Sequence, residues 1–306
     1  RAGIGYLVNG TKINAMFSLN YQQADLQGSR TMPIPPFTVN KTFDNILTFV
    51  MVRYNFSKNS NLRFFYRTST NAPSIAQLQD VYDNSNPLKI STGNPYLKQE
   101  YNHSLMSRFS FSNPEKSTNI FAFLTGSYTQ NNISTRSFFA QKDTLLAPGI
   151  ILKKGAQLTN PVNLDHNWNF RSVFVYGFPI RFISSNLNLN TSFNYSYSPG
   201  NIDDKINISN SYTISQGITL GSNISQNVDF TLSYNGNYNI VKNTLQQNLD
   251  NRYFSHTANF TFNWSFWKGF FFQNDITNQL YEGVNSSYNQ NYFLWNVGLG
   301  KKLFKG

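Results

Sequence analysis

The chain has 306 residues, of which 40% are hydrophobic, 16% aromatic and only 13% charged, and its longest apolar stretch, Ile46 to Val52, is already broken by Thr48, which excludes a membrane-spanning helix. Cysteine is absent, which removes disulfides, zinc–thiolate sites and cysteine nucleophiles together. The net charge of +11 comes without any basic run, so it reads as positive charge spread over turns and a wet lumen, and no nucleic-acid partner is expected.

The composition is unusual for a soluble domain. There are 28 Phe and 18 Tyr, too many for one ordinary core, and 44 Asn and 32 Ser stand where charged residues usually keep a surface wet. A wall with lipid on one side and water on the other accounts for both excesses. No signal peptide opens the chain: Arg1 leads directly into Ile4, Tyr6 and Val8, so the start is expected to be a processed or truncated end.

Thirteen strands are predicted, near 1–9, 12–27, 43–56, 61–70, 97–112, 118–129, 161–176, 181–198, 206–220, 226–242, 251–267, 270–284 and 290–303. Period two is the signal, because successive strand side chains point to opposite faces. Leu187, Leu189, Thr191, Phe193, Tyr195 and Tyr197 alternate with Asn and Ser. Val228, Phe230, Leu232, Tyr234, Tyr238 and Ile240 oppose a row that includes Asp229, Ser233, Asn235 and Asn237. Phe254, His256, Ala258, Phe260, Phe262, Trp264 and Phe266 oppose Thr257, Asn259 and Asn263. These stretches exceed the roughly 9–11 residues that a tilted strand needs to cross a bilayer.

The connections alternate. Short ones are predicted at Asn9-Gly10, Ser57 to Ser60, Asn113 to Ser117, Gly177 to Ile180, Gly221 to Ser225 and Trp267 to Gly269. Longer ones are predicted at 28–42, 71–96, 130–160, 199–205, 243–250 and 285–289. Short periplasmic turns and long outer loops mark outer-membrane barrels, so an all-β, antiparallel transmembrane barrel is expected. Thirteen is odd, and Phe304-Lys305-Gly306 reads as the start of another turn, so residues 1–306 are expected to be part of one barrel domain.

The segment 61–105 carries a pattern: Arg67 closes a strand, Pro73, Ser74, Gln77 and Leu78 follow, and Gly93, Asn94, Pro95, Leu97, Lys98 and Glu100 open the next strand. It resembles the barrels of TonB-dependent outer-membrane receptors. Asp83-Asn84-Ser85-Asn86-Pro87-Leu88 and the closing stretch from Phe293 to Lys302 are similar to the subgroup called the outer-membrane protein β-barrel family. The resemblance implies a C-terminal segment of a barrel of about 22 strands around a plug. It also implies import of a scarce ligand, driven by a TonB-type energy-coupling protein that acts through an N-terminal part. The plug, the coupling box and the terminal strands are not in these residues. In the family this motif is structural, so its residues are not expected to form a ligand site.

Residues with catalytic potential are sparse. His103, His166 and His256 each lie on an apparent lipid-facing row, on predicted strands that are not neighbours, and read as members of an aromatic girdle rather than metal ligands. No His-Glu-x-x-His, Gly-x-Ser-x-Gly or phosphate-binding glycine loop occurs. Asp203-Asp204 reads as a turn or as a loop calcium site. The chain is therefore expected to be no enzyme and to hold no cofactor or metal.

Recognition is expected in the outer loops, from Asp80, Tyr82 and Asp83 in one and Arg136, Phe138, Phe139, Lys142 and Asp143 in another. These groups can grip a ligand, pack on one another or contact lipopolysaccharide. The expected setting is the outer membrane of a Gram-negative bacterium, among its lipid and lipopolysaccharide, with a surface lipoprotein as a candidate partner. The leading function is import of a metal chelate, oligosaccharide or peptide. A plugless barrel, acting as a passive pore or scaffold subunit, is the alternative. A lipid-acting barrel enzyme lacks an aligned catalytic set, and a secreted β-adhesin would stay monodisperse without detergent.

Overall fold

The computed structural model describes residues 1–30, 37–222, 225–267, 269–283 and 289–301. The centres of two predicted loops (31–36 and 284–288), turn residues 223–224 and 268, and the closing residues 302–306 lie outside the described residues.

The chain begins with β1 (Ala2–Asn9), β2 (Ile13–Arg30), β3 (Phe37–Ser57) and β4 (Ser60–Asn71). A connection holding helix α1 (Ile75–Leu78) and β5 (Lys89–Ser91) leads to β6 (Glu100–Asn113) and β7 (Thr118–Phe139). A hairpin of β8 (Thr144–Ala147) and β9 (Ile150–Leu152) precedes β10 (Gln157–Ile180). Then come β11 (Ser185–Ile202), β12 (Lys205–Ser222), β13 (Val228–Asn243), β14 (Asn251–Phe266), β15 (Phe270–Glu282) and β16 (Gln290–Lys301).

Thirteen of these strands stand side by side in chain order, each antiparallel to the next, and correspond one to one with the thirteen predicted. With β5, parallel on one edge of β10, they make a sheet of fourteen. Among the described residues, the outer edges of β1 and β16 carry no partner strand.

The registers keep one face predominantly apolar across the described strands, with Gln216, Asn274 and Asn278 among its polar exceptions. Phe230 faces Phe262, which faces Asn274, while Leu232 faces Phe260 and then Ile276. On the other side of β13, Leu232 faces Leu220 and then Leu187. The opposite face is polar over β11 to β14, where Asn188, Thr219 and Ser233 align, as do Asn263 and Asp229, and mixed over β3 to β10, where Phe49, Phe65, Met106, Phe123 and Val173 share it with arginines. A slip of one residue between any pair would put Phe and Leu among these Asn and Ser, so the pattern itself specifies the register.

A predicted short turn moves, because Gly177 to Ile180 belong to β10 and the turn follows at 181–184, and three predicted loops shorten; in 28–42, residues 28–30 belong to β2 and 37–42 to β3. Residues 130–160 are mostly strand, because β7 runs to Phe139 and β10 begins at Gln157. Residues 199–205 reduce to a two-residue turn: Ile202 pairs with Lys205, and Asp203 (φ 48°) and Asp204 (φ 63°) adopt the left-handed pair of a type I′ hairpin. The reason is shared. The 24 residues of β10 extend over about 80 Å at 3.3 Å per residue, far more than the hydrocarbon requires. Outside lipid a strand needs backbone pairing but no apolar face, so the alternation fades while the ladder continues.

The projecting β7–β10 ribbon also turns over. In the wall its neighbours are β6 beside β7 and β11 beside β10. Beyond Gln130 the edges exchange: β10 takes β5, with Leu158 against Ile90, and β7 takes β11, with Asn201 against Arg136. Asn131 (φ 51°) sits at the crossover. Two-stranded ribbons twist more than sheets, which permits this.

Candidate functional site

The outer end of the wall is filled by chain that folds back over the polar face. Ser74 and Gln77 form a reciprocal capping box on α1, with Ser74 Oγ accepting from Gln77 N–H (3.2 Å) and Gln77 Oε1 accepting from Ser74 N–H (2.9 Å). This presents Leu78, which is fully buried with Val39 and Leu97 and packs beside Leu26 and Ile133. Leu26 and Val39 lie on polar-face rows of β2 and β3, so the loop is seated on the polar side of the sheet.

Hydrogen bonds fix the return path. Lys41 Nζ donates to the carbonyls of Pro95 (2.5 Å) and Leu97 (3.1 Å). Asn94 Nδ2 donates to Pro161 O (3.0 Å), and Glu100 Oε1 accepts from Ile133 N–H (2.7 Å). The residues of the Gly-Asn-Pro stretch are thus anchors of this loop.

A second small core, of Ile90, Ala140, Leu152 and Ala156, ties β5 and the β8–β9 hairpin to the ribbon, with Tyr82, Phe138 and Leu158 packed against it. Between α1 and the ribbon lies an open cleft of about 640 Å³, lined among others by Gln77, Tyr82, Asp83, Thr92, Thr135 and Asn160. Within it, Asp83 Oδ1 accepts from Ser85 N–H, which holds its carboxyl below the ordinary range.

On the apolar face an aromatic band crosses β4 to β12. Tyr66 contacts His103 (centroids 6.2 Å), His103 contacts Tyr128 (5.9 Å), Tyr128 contacts His166 (5.5 Å), and His166 stacks on Tyr197 (5.0 Å). Tyr195 continues it to Tyr212 at 5.0 Å. A second band follows the short turns, with Tyr54 on Phe56, Tyr176 on Phe178, and Trp264 on Phe266. Two aromatic girdles on an otherwise apolar face are the signature of a wall set between two lipid–water interfaces. The sequence pattern of the outer membrane protein beta-barrel family matches residues 21–292. The chain belongs to that family. No curated protein matches it. Among solved structures it is similar to in-vitro folded OmpT, an outer membrane protein of Vibrio cholerae, at 6% identity over 97% of this chain and 95% of that one, with a TM-score of 0.28.

In this outer-membrane β-barrel protein the predicted recognition residues separate into groups. Tyr82 and Asp83 line the cleft. Asp80 lies beside it and accepts from Thr92 Oγ1 (3.3 Å). Arg136, Phe138 and Phe139, expected in a loop, are strand residues of β7. Arg136 pairs with Asp204 (2.7 Å), and Phe139 N–H donates to Asp203 Oδ1 (2.8 Å), so the turn reading of the two aspartates holds and both carboxylates serve as ribbon contacts. Phe138 packs into the second core, whereas Lys142 is exposed beside the β8–β9 hairpin. Gln77 stood out in the sequence only as part of the motif, and Thr92, Thr135 and Asn160, which also line the cleft, did not stand out at all. The Ser74-x-x-Gln77 capping box was the one signal that pointed to a helix there.

The histidines are girdle members with local partners. His103 Nδ1 meets Tyr66 OH (2.8 Å), His166 meets Asp165 (2.8 Å), and His256 meets Asn278 (3.0 Å). His103 and His166 are closer than their strands suggest, since the ring of Tyr128 touches both.

Proposed function

We propose that this chain forms the wall and outer rim of a closed outer-membrane barrel of about 22 strands that works as a TonB-dependent receptor-like importer. Its role is transport rather than catalysis, and its ligand class is a metal chelate, an oligosaccharide or a peptide. The observation that carries this reading is the segment from Gly93 to Glu100. Its resemblance to the receptor motif coincides with a physical job, holding the loop on the inner wall through Asn94, Leu97 and Glu100. A loop fixed inward narrows the entrance and forms one side of the 640 Å³ cleft, which suits selection of a ligand before passage.

The test uses the native polypeptide isolated from outer membranes. Intact mass and peptide mapping are expected to reveal a plug and a coupling box, and cross-linking in cells should capture an energy-coupling protein of the TonB type. A polypeptide without a plug that gives a large, steady conductance in planar bilayers would make it a passive pore. One with neither plug nor conductance would make it a scaffold.

A further inference from the structure

Three arginines stand in one row on the polar face. Arg53 of β3 is directly opposite Arg63 of β4, and Arg63 is directly opposite Arg108 of β6. Directly opposed residues on antiparallel strands have Cα atoms about 5 Å apart, so three positive charges occupy a span of about 10 Å. Like charges in this position repel one another, and an ordinary sheet avoids them.

The surroundings do not neutralise the row. Asn14 of β2 faces Arg53, and Phe123 of β7 faces Arg108. The next polar-face positions on these strands are Met51, Asn55, Asn61, Phe65, Met106 and Ser110. Arg53 Nε donates to Asn55 Oδ1 (3.2 Å), and Arg108 lies over the ring of Phe121 (5.1 Å). Arg63 is half-buried, and its Nε is buried with no hydrogen-bond partner. Among the described residues no ion pair reaches any of the three. Two more arginines on the same face, Arg67 and Arg171, add to the field further up the wall.

We infer that the Arg53–Arg63–Arg108 row is a lumenal site for an oxyanion, a carboxylate or phosphate group. Guanidinium groups are planar forks that match such oxygens in pairs, and three side by side hold one group from several directions. The anion arrives either as a free solute or as an acidic side chain of a domain seated in the lumen. The inference rests on the reading of the polar face as the lumen wall.

The experiment treats full-length protein from outer membranes, in detergent at low ionic strength, with hydroxyphenylglyoxal, and maps modification of each arginine by mass spectrometry. Arg181, exposed in the turn after β10, serves as the reactive control. If the source is a free anion, all three react, and millimolar inorganic phosphate protects them while chloride of equal ionic strength does not. Arg63→Gln is then expected to raise the phosphate needed for half-protection of Arg53 and Arg108 about tenfold, the loss of one charge-assisted contact. If the source is a tethered acid, the three are unreactive until about 1 M KCl screens the pairing. Reaction without phosphate protection, or silence at every salt concentration, overturns the site. The lumen reading is checked separately: Asn235→Cys, on the polar face, should react with a water-soluble maleimide at residue 235, as read by peptide mapping. Failure there removes the lumen, whereas labelling there with unprotected arginines removes only this inference.

Discussion

Asn163 of β10 holds Lys98 by both edges of its amide. Its Oδ1 accepts from Lys98 N–H (2.7 Å), and its Nδ2 donates to Lys98 O (3.0 Å) and to Asn131 O (2.7 Å). A side chain here does what a neighbouring strand would do, pairing with the backbone of the returning loop just before β6 begins. Asn163→Ala leaves the backbone groups of Lys98 to find water, at a local cost of about 1–3 kcal/mol. The expected result is normal barrel assembly with faster hydrogen exchange at Lys98 and new proteolytic cleavage between α1 and β6. Unchanged exchange would mean that Lys41 and Glu100 anchor the loop by themselves.

The face assignment makes a sharp contrast between two positions of β13. Phe230 lies on the apolar row, opposite Phe262, and Asn235 lies on the polar row, opposite Thr257 and Gly217. Arginine on the apolar face costs about 2–4 kcal/mol at the bilayer midplane and about 0–1 kcal/mol near an interface, so Phe230, one pair in from the short-turn girdle at Trp264, carries a cost between these, whereas a lumen position is wet. Phe230→Arg is expected to lower the amount of heat-modifiable, folded barrel in outer membranes, and Asn235→Arg to leave it unchanged. Equal assembly of both variants would invert or abolish the assignment.

These contrasts show where the sequence was legible. The rows of β13 and β14 could be read by period two alone, because lipid demands an apolar side chain at every second position. Past Gln130 that demand ends, and Ser134, Arg136 and Ser137 carry no alternation, so a paired strand reads as loop. The inward fold was hidden for another reason: Lys41 meets Pro95, and Asn94 meets Pro161, across more than fifty residues of chain. The arginine row needs the register across the whole β4–β6 connection, which no local pattern encodes. The one long-range feature that could be recognised was the Gly93–Glu100 stretch, and only through its resemblance to a family.

The β8–β9 hairpin is predicted to loosen in acid. Lys153 Nζ lies 2.9 Å from Asp143 Oδ2, and Lys154 N–H donates to Asp143 Oδ1 (2.8 Å); both contacts hold this carboxyl below its ordinary value of 3.8. A carboxylate with a depressed folded value contributes order that is complete above the ordinary value and disappears as pH falls through the depressed one. Hydrogen exchange at Lys154, corrected for the intrinsic pH dependence, should therefore be flat from neutrality to about pH 4 and rise below it. Asp143→Asn should remove that rise and show the looser hairpin at every pH. A rise that persists in the variant would assign the acid sensitivity to another group.

Gly93 lies where the backbone of the loop passes against the end of α1. Its N–H donates to Gln79 O (2.9 Å), and the next residue, Asn94, donates its N–H to Gln77 O (2.6 Å), so the chain passes directly against the end of α1. A Cβ at this position would stand 2.2 Å from Gln79 O and 2.8 Å from Gln77 O, and both are backbone atoms that cannot rotate away. Gly93→Ala must therefore separate the Gly-Asn-Pro stretch from α1 and loosen Leu78 and Leu97, which are buried between them and Val39. Loss of such contacts costs about 2–4 kcal/mol locally, enough to open the loop while leaving the wall strands paired. The expected readout is a folded barrel, by heat modifiability, with cleavage by added protease on intact cells between residues 79 and 93. Gly126→Ala, whose Cβ meets nothing closer than Asn169 O at 3.9 Å, should leave the loop protected. If Gly93→Ala is as protected as Gly126→Ala, the loop is held by its polar anchors alone, and the glycine of the motif has no packing role.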